Sequence, residues 1–323
     1  MSPELVAEVW RNGLVESVHY GTVVALDASG EVAFAVGDPD AVIFPRSSNK
    51  PMQAAGMVRA GLGLEGELLA LAAASHSGED FHLDGVRRIL TGAGLTEDAL
   101  QNTPGLPLNE RASRAVLAAG GGPAPLLMNC SGKHAAMLAT CVANGWPVDS
   151  YRVPDHPLQR IIRDTLAELA GEPVGAVAVD GCGAPLFGIG LTGLARAFRA
   201  IATAAPGKPE RRVADAMSAH PEYVGGTGRD VTTVLRALPG AVAKDGAEGV
   251  YAIGLPDGRA VAVKIADGAG RARTVVLVAA LRRLGVTTPD LEPLAETPVL
   301  GHGAPVGAVR AAGRLLGPAT LVP

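Results

Sequence analysis

Aromatic side chains are scarce: two Trp, four Tyr and five Phe make up 3% of 323 residues. Any sizeable core must be built from Ala, Val and Leu, which a 48% hydrophobic composition can supply. Cysteine is scarcer still. Cys130, Cys141 and Cys182 form a small, odd set. That argues against a disulfide framework and leaves structural, catalytic or metal-binding thiols. Positive charge is not in excess, the formal net charge being -4, and no basic stripe is present. A nucleic-acid partner is therefore not expected. No uncharged apolar run reaches membrane-spanning length, so no membrane partner is expected either. Glu4, Glu8 and Arg11 interrupt the N-terminal apolar residues where a secretory signal needs continuity. The expectation is a cytoplasmic protein. The 42 Gly and 24 Pro show no repeat period, which excludes a fibrous design. No linker or composition break divides the chain, so residues 1–323 read as one unit.

What is present begins with Arg46-Ser47-Ser48-Asn49-Lys50-Pro51. Proline is tolerated only in the first turn of a helix, so Pro51 places Ser47 or Ser48 near a helix start. Residues three apart share a helix face. This spacing predicts that the Ser47 hydroxyl and the Lys50 amine meet. A serine becomes nucleophilic when a neighbour takes its proton, and a desolvated lysine can do so. The same Ser-x-x-Lys marks serine β-lactamases and penicillin-binding proteins. Alone the tetrapeptide is common, and an N-capping serine with a surface lysine is the plainer account.

Asn12-Gly13 between apolar runs predicts a hairpin. A second is predicted at 27–30, joining Thr22–Leu26 to Val32–Val36. Helices are expected over 67–74, 86–95, 110–119, 131–143, 191–205, 274–284 and 306–316. Another is expected after Asp155 as N-cap, its Leu158, Ile161, Ile162, Leu166 and Leu169 keeping helical spacing up to Gly171. Residues 176–179 read as a buried strand. Residues 250–255 and 259–265 read as strands joined by Pro256-Asp257-Gly258. The class is α+β: an antiparallel sheet flanked by helices, with sheet from both chain ends and helices in the middle.

Further groups bear on Ser47 and Lys50. Ser75, beside His76, could relay a proton to a leaving amine, though a loop serine is the blander account. Lys264 lies on a strand among apolar neighbours, facing either solvent or a site. Cys130 precedes a helix, with Lys133 three residues on, so a thiolate is favoured there. Cys182 sits in a Gly-rich turn after a strand. Two thiolates and one amine could hold Zn²⁺, while two buried structural cysteines explain the pattern equally simply. Cys141 reads as core. Gly225-Gly226-Thr227-Gly228-Arg229 lacks the strand and Gly-Lys-Ser ending of a phosphate loop.

Residues 46–53, 75–79, 129–134, 180–185 and 264–268 occur in this order: RSSNKPMQ, SHSGE, NCSGKH, DGCGAP and KIADG. The set resembles the Rhizobium etli-type, inducible thermolabile L-asparaginases, the asparaginase II family. The resemblance implies hydrolysis of L-asparagine to L-aspartate and ammonia, a serine β-lactamase- or glutaminase-like fold, and a homodimer. It implies two Ser–Lys pairs, Ser47 with Lys50 and Ser75 with Lys264. It also implies an accessory zinc on Cys130, Lys133 and Cys182, with Arg46 and Asp180 at the substrate. Three alternatives stand beside it. A β-lactamase-type acylase would need a K-T-G strand where Lys264-Ile265-Ala266 stands. A glutaminase would differ only in the length of amide it accepts. A non-catalytic relative would bind zinc or an amino acid without ammonia release.

Overall fold

The computed structural model describes residues 2–317. Eleven strands are present there: β1 (Glu4–Arg11), β2 (Leu14–Leu26), β3 (Val32–Val36), β4 (Val42–Ile43), β5 (Ala176–Val179), β6 (Pro185–Gly190), β7 (Val242–Asp245), β8 (Val250–Gly254), β9 (Ala260–Ile265), β10 (Thr297–Gly301) and β11 (Ala304–Ala311). The main sheet runs β10-β11-β1-β2-β9-β8-β7. The long β2 is shared: its first half pairs with β1, while Val23–Leu26 pairs with β3 on that edge and with β9 on the other. Every named pair is antiparallel. A smaller sheet, β4-β6-β5, stands apart.

Between the strand groups lie α1 (Lys50–Arg59), α2 (Gly66–Ala72), α3 (Asp80–Gly92), α4 (Glu110–Ala118), α5 (Ser131–Ala143), α6 (Pro157–Ala170), α7 (Leu191–Ala202), α8 (Pro209–Ala219), α9 (Pro221–Val224) and α10 (Asp230–Ala237). A final helix, α11 (Gly270–Arg283), follows β9. Helices α7 and α11 both pack on β8 and β9, whose residues are buried throughout. The core is aliphatic as the composition demands, its large aromatic exceptions being Tyr151, Tyr251, Phe187 and Phe198. Small side chains let backbones approach closely, so even α1 is buried from Lys50 to Val58.

Several expectations change. Residues 22–26 continue β2 rather than starting a strand. Residues 306–316 are not a helix: Ala304–Ala311 is a strand, and Gly313–Leu316 a short 3-10 turn. The overlooked signal is His302-Gly303, whose positive φ values of 48° and 80° make a tight hairpin like Asn12-Gly13. Strand β5 is not buried; Val177 and Val179 are 55% and 74% exposed at a sheet edge. The cap of α6 is His156, whose ring accepts from the Leu158 N–H, not Asp155. The predicted stop at Gly171 holds, in left-handed geometry at φ 70°.

Candidate active site

The chain reaches α1 through a 3-10 turn, Arg46–Asn49, with Pro51 in the first helical turn. Arg46 adopts φ 52°, a left-handed conformation uncommon for a side chain of its size. Ser48 donates to the Pro45 carbonyl at 2.6 Å, and the Lys50 N–H donates to the Ser47 carbonyl. Ser47 itself is half-buried. Among the described residues no hydrogen bond joins its side chain to the Lys50 amine. That amine, 1% exposed, reaches inward. It donates to the Ala74 carbonyl at 2.5 Å, Ser75 Oγ at 3.0 Å and Cys130 Sγ at 3.1 Å. The structure thus joins Lys50 to Ser75, where the resemblance pairs Lys50 with Ser47.

Ser75 lies just beyond α2, and its N–H donates to Val224 O at 3.1 Å. His76 is fixed as a neutral ring: Nδ1 accepts from the Gly78 N–H at 3.1 Å and Nε2 faces Ser131 Oγ at 2.8 Å. Burial holds its pKa well below the ordinary value. His82 is pushed down to about 4 by the same cause. The Gly225–Gly228 loop, no phosphate cradle, clamps this segment. Thr227 donates to both Glu79 oxygens, from N at 2.8 Å and Oγ1 at 2.7 Å. Gly226, at φ 131°, sits where any Cβ would overlap Ser77.

The thiols form the next wall. Cys130, at the start of α5, and Cys182 pack together with Ala184 and are almost fully buried. Hydrogen bonding from Cys182 holds the Cys130 thiol well below its ordinary pKa, and the same shared proton raises Cys182. Lys133 donates to Cys182 Sγ at 3.1 Å. Burial alone would lower this amine, but the adjacent sulfurs and Asp180 raise its pKa, so it is an ammonium. The set is soft and nitrogen-bearing, a composition that suits zinc; the amine must first lose its proton. Among the described residues no cluster of three or more His, Cys, Asp or Glu is placed to hold a metal ion, and this set contains only two such residues.

Arg46 and Asp180 carry the polar chain outward. Arg46 Nε donates to Asp180 Oδ1 at 2.8 Å, and that oxygen also accepts from the Gly181 N–H at 2.9 Å. On its other side Arg46 Nη1 lies 3.7 Å from Glu248 Oε1. Lys264 donates to the carbonyls of Glu248 and Ile265 at 2.5 and 2.9 Å; no hydrogen bond joins it to Ser75 among the described residues. Burial lowers its pKa. Arg46, Glu248 and Lys264 line a cavity of about 470 Å³ whose remaining wall is apolar, including Ile43, Phe44 and Val179. A wider cavity of about 720 Å³, between α11 and β11, includes none of these residues.

Two groups escaped the sequence reading. Lys244 and Asp245 lie at the end of β7, against the Ser47 turn: a Cβ on Gly246 would come 2.8 Å from the Pro45 carbonyl. Desolvation lowers the fully buried Lys244 to about 8, and Asp245 gathers Lys244, Arg229 and Arg273. Lys244-Asp245-Gly246 was the available signal, a lysine-x-glycine ending an edge strand. The other is Glu248, in the hairpin after it.

A scaffold that buries a serine hydroxyl against a lysine amine has the equipment of a hydrolase. The model of the L-asparaginase II family matches residues 7–311, and the chain belongs to that family. No curated protein sequence matches. Among solved structures, a β-lactamase from Mycobacterium bovis is 14% identical with a TM-score of 0.44, over 82% of this chain and 94% of its own. A mutant simvastatin synthase (LovD) from Aspergillus terreus is 12% identical with a TM-score of 0.36, over 76% and 86%. Such values support no residue correspondence. No helix among the described residues is long and apolar enough to cross a membrane.

Proposed function

We propose that the chain hydrolyses the side-chain amide of L-asparagine to L-aspartate and ammonia through a serine served by a buried lysine. The observation that carries this reading is the 3.0 Å contact of Lys50 Nζ with Ser75 Oγ, beside the Ser47 turn. Ser47 is half-buried where Ser75 is buried, so Ser47 is taken as the nucleophile. Its Oγ attacks the amide carbon and its proton passes to the Lys50 amine, which must turn from its buried acceptors and offer a free electron pair for this step. Backbone N–H groups at the helix start stabilise the oxyanion. Lys50 returns the proton through Ser75 to the nitrogen, the C–N bond breaks and ammonia leaves. Water then cleaves the β-aspartyl ester, freeing aspartate and Ser47. Lys264, which lines a cavity with Arg46, assists proton transfer to the leaving nitrogen. Arg46 takes the substrate carboxylate, held in position by Asp180.

A second reading makes Ser75 the nucleophile, favoured by its direct contact with Lys50. Mass spectrometry of an acid-quenched reaction with asparagine decides between them. The ester is expected on the peptide holding Ser47; on the Ser75 peptide it overturns the first reading. Absence of ammonia release from asparagine, with glutamine or nitrocefin turned over instead, overturns the substrate.

An accessory zinc on Cys130, Lys133 and Cys182 belongs to the same proposal, as does a homodimer. The ion would supply a fixed positive charge that orients substrate. Zinc retained after gel filtration by the wild-type chain and lost from Cys182→Ala supports it. No zinc uptake at neutral pH would remove it.

A further inference from the structure

Among the described residues three hairpins turn through a left-handed residue followed by a left-handed glycine: Asn12-Gly13, His302-Gly303 and Glu248-Gly249, the last with φ 57° and 66°. Such turns favour Asn or Asp at the first position, because their short side chains tolerate the conformation. Glutamate is a poor choice there. Its side chain does not repay the strain through stability: it is 62% exposed and its approach to Arg46 is a loose 3.7 Å, a kind of pair that contributes little. Strain held without local compensation marks functional positions. Meanwhile the Glu248 carbonyl anchors Lys264, so the turn fixes this residue at the edge of the cavity.

Among the described residues Glu248 is the one carboxylate on the wall of that cavity, beside Arg46 and Lys264. Asp180 is poorly placed for an incoming ammonium. Its Oδ1 is taken by Arg46 and Gly181, and its Oδ2 faces Cys182 Sγ at 3.8 Å. An α-amino acid carries an ammonium and a carboxylate on one carbon. Arg46 and Glu248, adjacent and opposite in charge, match that pair. We infer that Glu248 receives the substrate's α-ammonium and so restricts the site to free α-amino acids bearing a short side-chain amide. This inference rests on the amidohydrolase reading above and adds a selectivity residue to it.

The test compares asparagine with succinamate, which has the same amide and carboxylate but no ammonium. In Glu248→Gln the KM for asparagine is expected to rise about tenfold or more, the scale of a lost charge-assisted hydrogen bond. Its kcat should change less than threefold, and both constants for succinamate should match wild type. Glu248→Asn, better suited to the turn, should show the same kinetic loss while melting no lower than wild type. An asparagine-to-succinamate preference unchanged in both variants overturns the inference. Should the wild-type chain release no ammonia from asparagine, the hydrolase reading fails separately, and calorimetry of L-aspartate against succinate decides the role of Glu248. A preference for aspartate that Glu248→Gln abolishes supports it; a preference retained, or absent in wild type, overturns it.

Discussion

The floor and the rim of the candidate site are built differently. At the floor, Lys50, Ser75, Cys130, Lys133 and Cys182 meet side chain to side chain, each no more than 6% exposed. At the rim, Arg46, Glu248 and Lys264 line an open cavity, and Lys264 is held by two backbone carbonyls. A dry floor has no water to replace a missing partner, so each loss there leaves other groups unpaired. A rim open to solvent can be rehydrated. Changes at the floor should therefore act together and steeply, and changes at the rim singly and by degrees.

The largest effect expected is at Lys50. Lys50→Met preserves bulk but removes the donor from Ala74 O, Ser75 Oγ and Cys130 Sγ. Ammonia release should fall by about 10³-fold or more, toward the upper range for a lost acid–base group. Melting should shift as well, because three buried acceptors lose one donor. A variant retaining a tenth of wild-type turnover would show that the floor does not carry the chemistry.

Acid should break the wall that holds Ser75 in place. His82 accepts from the Glu79 N–H at 3.2 Å and faces Glu222 O at 2.9 Å, an arrangement that needs a neutral ring. Its folded pKa of about 4 lies below the ordinary 6.5 because it is buried. The unfolded chain therefore binds the extra proton first. The stability this neutral ring protects is full above pH 6.5 and is lost as pH falls toward 4, by about 3 kcal/mol. His82→Gln is expected to be less stable at pH 7 but to show a flatter decline of Tm between pH 6.5 and 4. A variant declining as steeply as wild type would move the acid sensitivity elsewhere.

The rim and the floor were also unequally legible. The motif residues were visible because their chemistry is local: a proline fixing a helix start, a thiol before a helix, a glycine turn after a strand. Their pairing was not. Three-residue spacing puts Ser47 and Lys50 on one face, but it does not say which way the long Lys50 side chain turns, and here it runs inward to Ala74, Ser75 and Cys130. Which hydroxyl Lys50 meets depends on how the end of α2 packs across α1 and α5, a contact between residues 25 apart. Glu248 was hidden because nothing in Glu-Gly distinguishes an exposed loop from a cavity wall. The strand at 304–311 was misread as helix because its small and apolar residues fit either period.

The smallest effect argued here is at Lys264, and it measures the contrast most directly. Desolvation already lowers its pKa, so part of its hydration has been given up for two carbonyl contacts. Lys264→Met removes that unfavourable charge burial, which offsets the loss of this donor by the Glu248 carbonyl at the cavity wall and by the buried Ile265 carbonyl. Stability should therefore change by no more than about 1 kcal/mol. Activity should fall about 10- to 100-fold, because an assisting amine is lost while Ser47, Lys50 and Ser75 keep their places. If Lys264→Met instead matched the loss and the lowered Tm of Lys50→Met, the two lysines would belong to one cooperative unit. The division between floor and rim would then be wrong, and the pairing of Lys264 with Ser75 implied by the family resemblance would regain support over the geometry described above.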